Sequence, residues 1–231
     1  MLPRLFALLF SMIATANAQI PLKTVGDRVA EFGDVVRARL EPHFRAAGVS
    51  YPPERVTLLG FKKERVLEVY AASKETPFRF IRSYPILAAS GLPGPKLREG
   101  DRQVPEGIYR VRELNPNSRF HLSLWLDYPN GHDRLRAATE QRGNLGGEIM
   151  IHGNAVSRGC LAMGDAAAED LFVLAALIGI QNVQVILSPI DFRSSTFVSL
   201  PGDSPAWTAD LYEQIKRALK PYTRPVIEQM L

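Results

Sequence analysis

The sequence predicts a β-dominated α+β domain with a helical segment at each end. Three observations lead there. Between about residues 54 and 190 apolar residues recur mostly at every second position, in short runs, as in strands. Near both ends they recur every three or four positions, as on one face of a helix. Gly- and Pro-rich stretches punctuate the short runs where turns are needed.

Residues 1–18 read as a secretory signal. Arg4 precedes an apolar run from Leu5 to Ile13 and the small-x-small end Ala16-Asn17-Ala18. The run is shorter than the roughly 20 residues a spanning helix needs. No later stretch is long and apolar enough to cross a bilayer. The expectation is an exported, periplasmic or cell-envelope protein with no transmembrane span after signal cleavage.

From Thr24 to Ala47, the residues Val25, Val29, Phe32, Val36, Leu40 and Phe44 form one apolar face. Thr24 with Asp27 makes a weak capping box, and Gly48 and Pro52-Pro53 end the pattern. Residues 19–53 are read as an N-terminal helical segment packed on the main domain.

Strands are expected at 56–59, 66–70 and 78–81, with a polar link at 61–64. Ala89 to Lys96 is loop, and Lys96, Arg98 and Asp101 lie where they could line a cleft, with surface charge the preferred reading. Pro105-Glu106-Gly107 turns the chain into a strand from Ile108 to Leu114, and Asn115 to Ser118 turns it again. Within His121 to Leu126 the leucines lie on one face and His121, Ser123 and Trp125 on the other; His121, Trp125 and also His132 are candidates to touch substrate, and a strand's solvent face explains His121 and Trp125 equally well. Glu148 to Ile151 is a short strand ending at His152. Asp165 caps a helix over 166–178, stopped by Gly179. A strand at 183–187 follows, and Ser204-Pro205 starts a last helix with Trp207, Leu211, Ile215 and Leu219 on one face. This divides the chain into a central domain at 54–190 and a C-terminal helical extension at 191–231.

Charge is mixed, with 28 Lys plus Arg against 24 Asp plus Glu. That lacks the clustered basicity of a nucleic-acid binder, so no nucleic-acid partner is expected. The histidines, His43, His121, His132 and His152, have no metal-ligand spacing, and one cysteine makes no thiolate site. No metal and no organic cofactor is implied. There is no GxSxG and no phosphate loop.

That single cysteine, Cys160, lies eight residues after His152. Outside the cytoplasm a lone thiol has no internal disulfide partner and is open to oxidants. A free thiol near pKa 8.5 is mostly protonated at neutral pH, and a neighbouring histidine can take its proton. Gly159 allows close approach of a substrate carbonyl, and the amides of Gly159 and Cys160 could bind an oxyanion. On the residues alone two readings stand open: a nucleophile with its base, or a buried cysteine acting as a small hydrophobe.

The run Ile151-His152-Gly153 followed by Ser157-Arg158-Gly159-Cys160 resembles the signature of the L,D-transpeptidase catalytic domain (YkuD-like) family, a His-Gly and then Ser/Thr-His-Gly-Cys. Ala89-Ser90-Gly91, Gly94-Pro95-Lys96, Gly100-Asp101, Pro105 to Tyr109, Leu114 to Ser118 and Tyr128-Pro129-Asn130 resemble its YafK-like branch. The resemblance covers roughly residues 54–190. It implies an L,D-transpeptidase-like mixed β-sheet domain. It implies Cys160 as nucleophile, His152 as base, and the carbonyl of Gly153 orienting the imidazole. Gly159, with Ser157 and Arg158 beside it, would form the oxyanion and substrate-binding loop.

Arg158 stands where the commoner signature has a second histidine. Arginine cannot serve as a base, which leaves His152 for that task. Arg158 is equally open to gripping a substrate carboxylate and to being a solvated loop charge.

The implied activity is that of a secreted cysteine acyltransferase acting on peptidoglycan stem peptides through a thioester. A hydrolase of the same family is the alternative, either an L,D-carboxypeptidase or an amidase releasing a peptidoglycan-linked lipoprotein. A non-catalytic peptidoglycan-binding module is the alternative of another class.

Overall fold

The computed structural model describes residues 21–223, so the signal-like segment 1–18 lies outside the described residues. The chain runs α1 (Val25–Ala46), β1 (Arg55–Phe61), β2 (Val66–Ala72), β3 (Arg79–Pro85), β4 (Gly107–Ser118), β5 (His121–Leu126) and α2 (Gly131–Thr139). It continues through β6 (Met150–His152), β7 (Leu161–Ala162), α3 (Asp165–Ile178), β8 (Val183–Ser188) and α4 (Thr208–Leu219). Among the described residues the strands form one sheet in the order β3-β2-β1-β8-β4-β5-β6-β7. It is mixed: β1 runs parallel to β8 and β6 parallel to β7, while the other pairs are antiparallel.

The middle of the sheet is covered on both faces, so its strands read as continuous apolar runs. Val56 and Leu58 of β1 join one core with Val36, Leu40 and Phe44 of α1 and Phe172 of α3. Leu59 and Phe61 face the other way, into a second core with Leu211, Ile215 and Leu219 of α4. Each fully buried aliphatic or aromatic side chain contributes about 1.5–3 kcal/mol of transfer free energy. Arg39 fastens α1 to α3 through Asp170 at 2.7 Å and Glu169 at 2.9 Å.

The capping box at Thr24 and Asp27 is present on both sides, which fixes the start of α1. Elsewhere the structure departs from the sequence expectations. β4 runs on through Asn115 to Ser118, and the reversal falls at residues 119–120; Pro116 is tolerated because the register is irregular between Asn115 and Ser118. Residue 148 is not strand, because Glu148 has φ +56°, outside the β region. Helix α2 has no counterpart in the periodicity, yet Asn130 and Asp133 form a capping box at its start. Asp165 does not cap α3: the N-cap is Gly164, and the Asp165 carboxylate is committed elsewhere. The last helix starts at Thr208, after a turn through Pro205. Lys96 and Asp101 are not surface charge but a largely buried pair at 2.5 Å. Nor is His121 of β5 on an open solvent face: at φ +71° it meets Phe32 of α1 and Glu169 of α3.

Candidate active site

The site lies at the β6–β7 edge of the sheet. Parallel strands usually need a connection of a dozen or more residues. Here residues 153–160 suffice, because the strands are two and three residues long and the loop folds straight back. The register pairs Ile151 with Leu161 and His152 with Ala162. Carried back one step, it sets Cys160 level with Met150. Alternation then puts Cys160 and His152 on the same face, with Cα atoms about 8 Å apart for strand spacings of 4.8 Å and 3.3 Å per residue. The topology thus sets Cys160 and His152 on one face of this sheet edge.

His152 is fully buried and ends β6. Its Nδ1 lies 2.6 Å from the carbonyl oxygen of Gly153. A carbonyl only accepts, so Nδ1 carries the proton and Nε2 carries the lone pair. Phe120 stacks against the ring at 4.6 Å between centroids. Burial pushes the His152 pKa down, against the raising effect of the Gly153 hydrogen bond. Nε2 makes no hydrogen bond among the described residues. The imidazole is therefore held toward its neutral form, with the Nε2 lone pair unspent among the described residues.

Gly153 has a spatial reason to be glycine. A Cβ there would sit 2.5 Å from Asp165 Oδ1 and 2.7 Å from the carbonyl oxygen of Phe120. The Asp165 carboxylate is held in place by the amide of Asn154, at 2.7 Å. The aspartate that looked like a helix cap instead braces the loop between His152 and Cys160.

Cys160 is partly exposed, and its thiol donates to the carbonyl of Glu148 at 3.5 Å. Burial pushes its pKa up; the Met150 backbone and Lys96 pull the other way, while Glu148 adds to the rise. Burial thus favours the neutral thiol as it favours the neutral imidazole.

The remaining predicted loop residues fall as follows. Ser157 Oγ accepts from the Cys160 amide at 3.0 Å and donates to the Cys160 carbonyl. Gly159, at φ +95°, adopts a conformation favouring glycine, and its amide donates to Ser90 Oγ at 2.7 Å. Both amides expected to bind an oxyanion are thus occupied by serine hydroxyls in this structure. Arg158 is exposed and has no ion-pair partner among the described residues.

Ser90, Phe120 and Asp165 were not assigned to the site from sequence. Ser90 sits in a Gly-flanked loop, and that was its only local signal. Among the described residues, no group of three or more His, Cys, Asp and Glu side chains is placed to hold a metal ion. No described helix is long and apolar enough to cross a membrane.

Comparison with known proteins shows the family. The family described as YkuD, L,D-transpeptidase catalytic domain, matches residues 57–185, a segment containing both His152 and Cys160. The chain is 37% identical over 161 residues to the putative L,D-transpeptidase YafK of Escherichia coli (strain K12), covering 68% of this chain. It spans 61% of the length of that relative.

Among solved structures, the helical cell shape determining protein Pgp2 of Campylobacter jejuni aligns at 25% identity and TM-score 0.47, over 59% of this chain and 48% of that one. L,D-transpeptidase 1 of Mycobacterium tuberculosis aligns at 12% identity and TM-score 0.34, over 58% of this chain and 62% of that one. The match across residues 57–185, together with the identity to YafK, establishes that the chain belongs to the YkuD L,D-transpeptidase catalytic domain family.

Proposed function

We propose that the protein is an exported cysteine acyltransferase acting on peptidoglycan stem peptides, with Cys160 as nucleophile and His152 as general base. One observation carries this reading: the Nδ1–H to Gly153 hydrogen bond, which leaves the buried Nε2 lone pair as proton acceptor on the sheet face that bears Cys160.

The chemistry follows from the charge states. Because thiol and imidazole both rest neutral, the Cys160 proton passes to His152 Nε2 as Sγ attacks the peptide carbonyl. The carbonyl oxygen becomes an oxyanion. The amides of Gly159 and Cys160 can serve it when the Ser90 and Ser157 hydroxyls give way, exchanging one acceptor for another. Collapse breaks the C–N bond, and the departing amine takes the proton from His152. What remains is an acyl thioester on Cys160.

An acceptor amine then attacks the thioester and gives up its proton through His152. The Cys160 thiol is regenerated and a new peptide bond is formed. With water as acceptor the same steps give hydrolysis, and with it stem trimming or release of a peptidoglycan-linked lipoprotein. Arg158, exposed and without an ion-pair partner among the described residues, is suited to a substrate carboxylate.

The test is product analysis. Purified disaccharide-tetrapeptides, alone and linked to lipoprotein, are incubated with the protein and resolved by mass. Cross-linked dimers are expected; shortened or detached products alone would assign the hydrolase instead. Unchanged substrate in every case would leave a binding module.

A further inference from the structure

Helix α1 precedes the segment that matches the family, residues 57–185, yet it grips the β4–β5 hairpin that packs on His152. Just before the helix, the Asn117 side chain accepts from the Lys23 amide at 2.9 Å and donates to the Lys23 carbonyl at 2.7 Å. In its first turn, Arg28 Nε donates to the Pro116 carbonyl at 2.8 Å. Phe32 meets the ring of His121 edge to face, with centroids 5.4 Å apart. Arg39 pairs with Glu169, which accepts from His121 Nε2 at 3.0 Å. Arg28, Phe32 and Arg39 recur at helical spacing, so one face of α1 makes all three contacts.

The grip fixes the tip of the hairpin. His121 has φ +71°, a conformation that costs a residue with a Cβ and persists where the surroundings over-determine it. Here α1 holds its ring on one side and α3 on the other. Its neighbour Phe120 stacks on His152, with centroids 4.6 Å and ring planes 30° apart. Phe120 is half-exposed and His152 is fully buried, so the phenyl ring stands in the layer between imidazole and solvent.

The same two residues close on Gly153. A Cβ there would lie 2.7 Å from the Phe120 carbonyl oxygen and 3.0 Å from the His121 Cβ. The hairpin tip therefore touches both the ring and the residue whose carbonyl orients it. Burial and the Gly153 bond are what shift the His152 pKa, and no charged side chain contributes. The tip thus acts on His152 by covering and placing it, not by charge.

We propose that α1 sets the working position of His152 through the β4–β5 hairpin, with Phe120 and His121 as positioning residues and Phe32 as their anchor. The proposal rests on the reading of His152 as the general base.

The experiment is NMR titration of the histidine ring nitrogens in the full protein, with His152 assigned by loss of its signal in His152→Gln. Each variant also gets a pH profile of acyl transfer from a disaccharide-tetrapeptide. Phe120→Ala uncovers the ring, so its midpoint should rise by about half a pH unit or more. Phe32→Ala, at the far end of the chain of contacts, should move it in the same direction. The two together should raise it no further than Phe120→Ala alone. The acid limb of kcat/KM should follow each midpoint, with KM within about twofold of the parent.

Two further variants separate placement from plain stability. Asn117→Ala, at the exposed tip, frees the hairpin from Lys23 without opening the core and should also raise the midpoint. Leu40→Val lies about 12 Å further along α1 than Phe32. It should lower the melting temperature and leave the midpoint where it was. The proposal is overturned if Phe32→Ala and Asn117→Ala both leave the midpoint in place, or if the Phe32 and Phe120 shifts add. It is equally overturned if Leu40→Val moves the midpoint as far, or if the acid limb stays put while the midpoint moves. A parent protein without acyl transfer would sink the general-base reading, while the titration would still decide whether α1 sets the ring.

Discussion

The ring Nδ1 of His152 and the carbonyl oxygen of Gly153 are 2.6 Å apart, so a backbone oxygen holds this ring where a serine-protease triad would use a carboxylate. The difference is electrostatic. A carbonyl fixes the tautomer and the ring plane but adds no full negative charge, so burial is left to dominate the histidine.

That bond depends on residue 153 having no side chain. Gly153→Ala forces a Cβ against Asp165 Oδ1 and the Phe120 carbonyl. The expected cost is about 1–3 kcal/mol in urea unfolding. Displacement of the ring should lower kcat/KM by about 100-fold. Gly147→Ala, where a Cβ meets nothing within 4 Å, is the control and should change stability by less than about 0.5 kcal/mol.

The pH profile has a defined sign. Neutral His152 is the competent form, and its pKa lies below the ordinary 6.5. Activity should therefore persist below pH 6.5 and fall only as pH drops through the lowered value. Over the same window the unfolded chain binds a proton that the folded one refuses, so stability should also decline as pH falls below 6.5. Plots of kcat/KM and of urea midpoints against pH check both. An acid limb centred above 6.5 would contradict the assignment.

Glu106 anchors the loop that reaches Gly159. Its carboxylate accepts from Lys62, the Gly94 amide and the Tyr212 hydroxyl of α4, and its side chain is fully buried. Glu106→Gln leaves the Lys62 ammonium buried without its counter-charge. A loss of about 3–5 kcal/mol in denaturant unfolding is expected, as for other broken buried pairs.

What could be read from sequence follows the range of the interactions. The start of α1 was legible because Thr24 and Asp27 are three residues apart. Asn130 and Asp133 carry the same signal for α2, but no strong apolar period accompanies it. That β6 and β7 set His152 and Cys160 on one face was foreshadowed by the short loop that joins them. Ser90 was not, since it meets Gly159 across 69 positions of sequence and only the sheet brings them together. Asp165 was misread because a helix start and a loop amide compete for one carboxylate, and the Asn154 amide wins. Glu106 read as part of a turn; its burial comes from α4, whose position the local pattern does not encode.

The central claim is an acyl group on one sulfur, and intact-protein mass spectrometry tests it most directly. The protein is mixed with a disaccharide-tetrapeptide, quenched in acid within seconds and weighed. The account predicts an adduct equal to the donor minus its carboxyl-terminal residue, absent in Cys160→Ala and formed far more slowly in His152→Ala. An adduct that persists in Cys160→Ala, or that forms equally fast in His152→Ala, would contradict it.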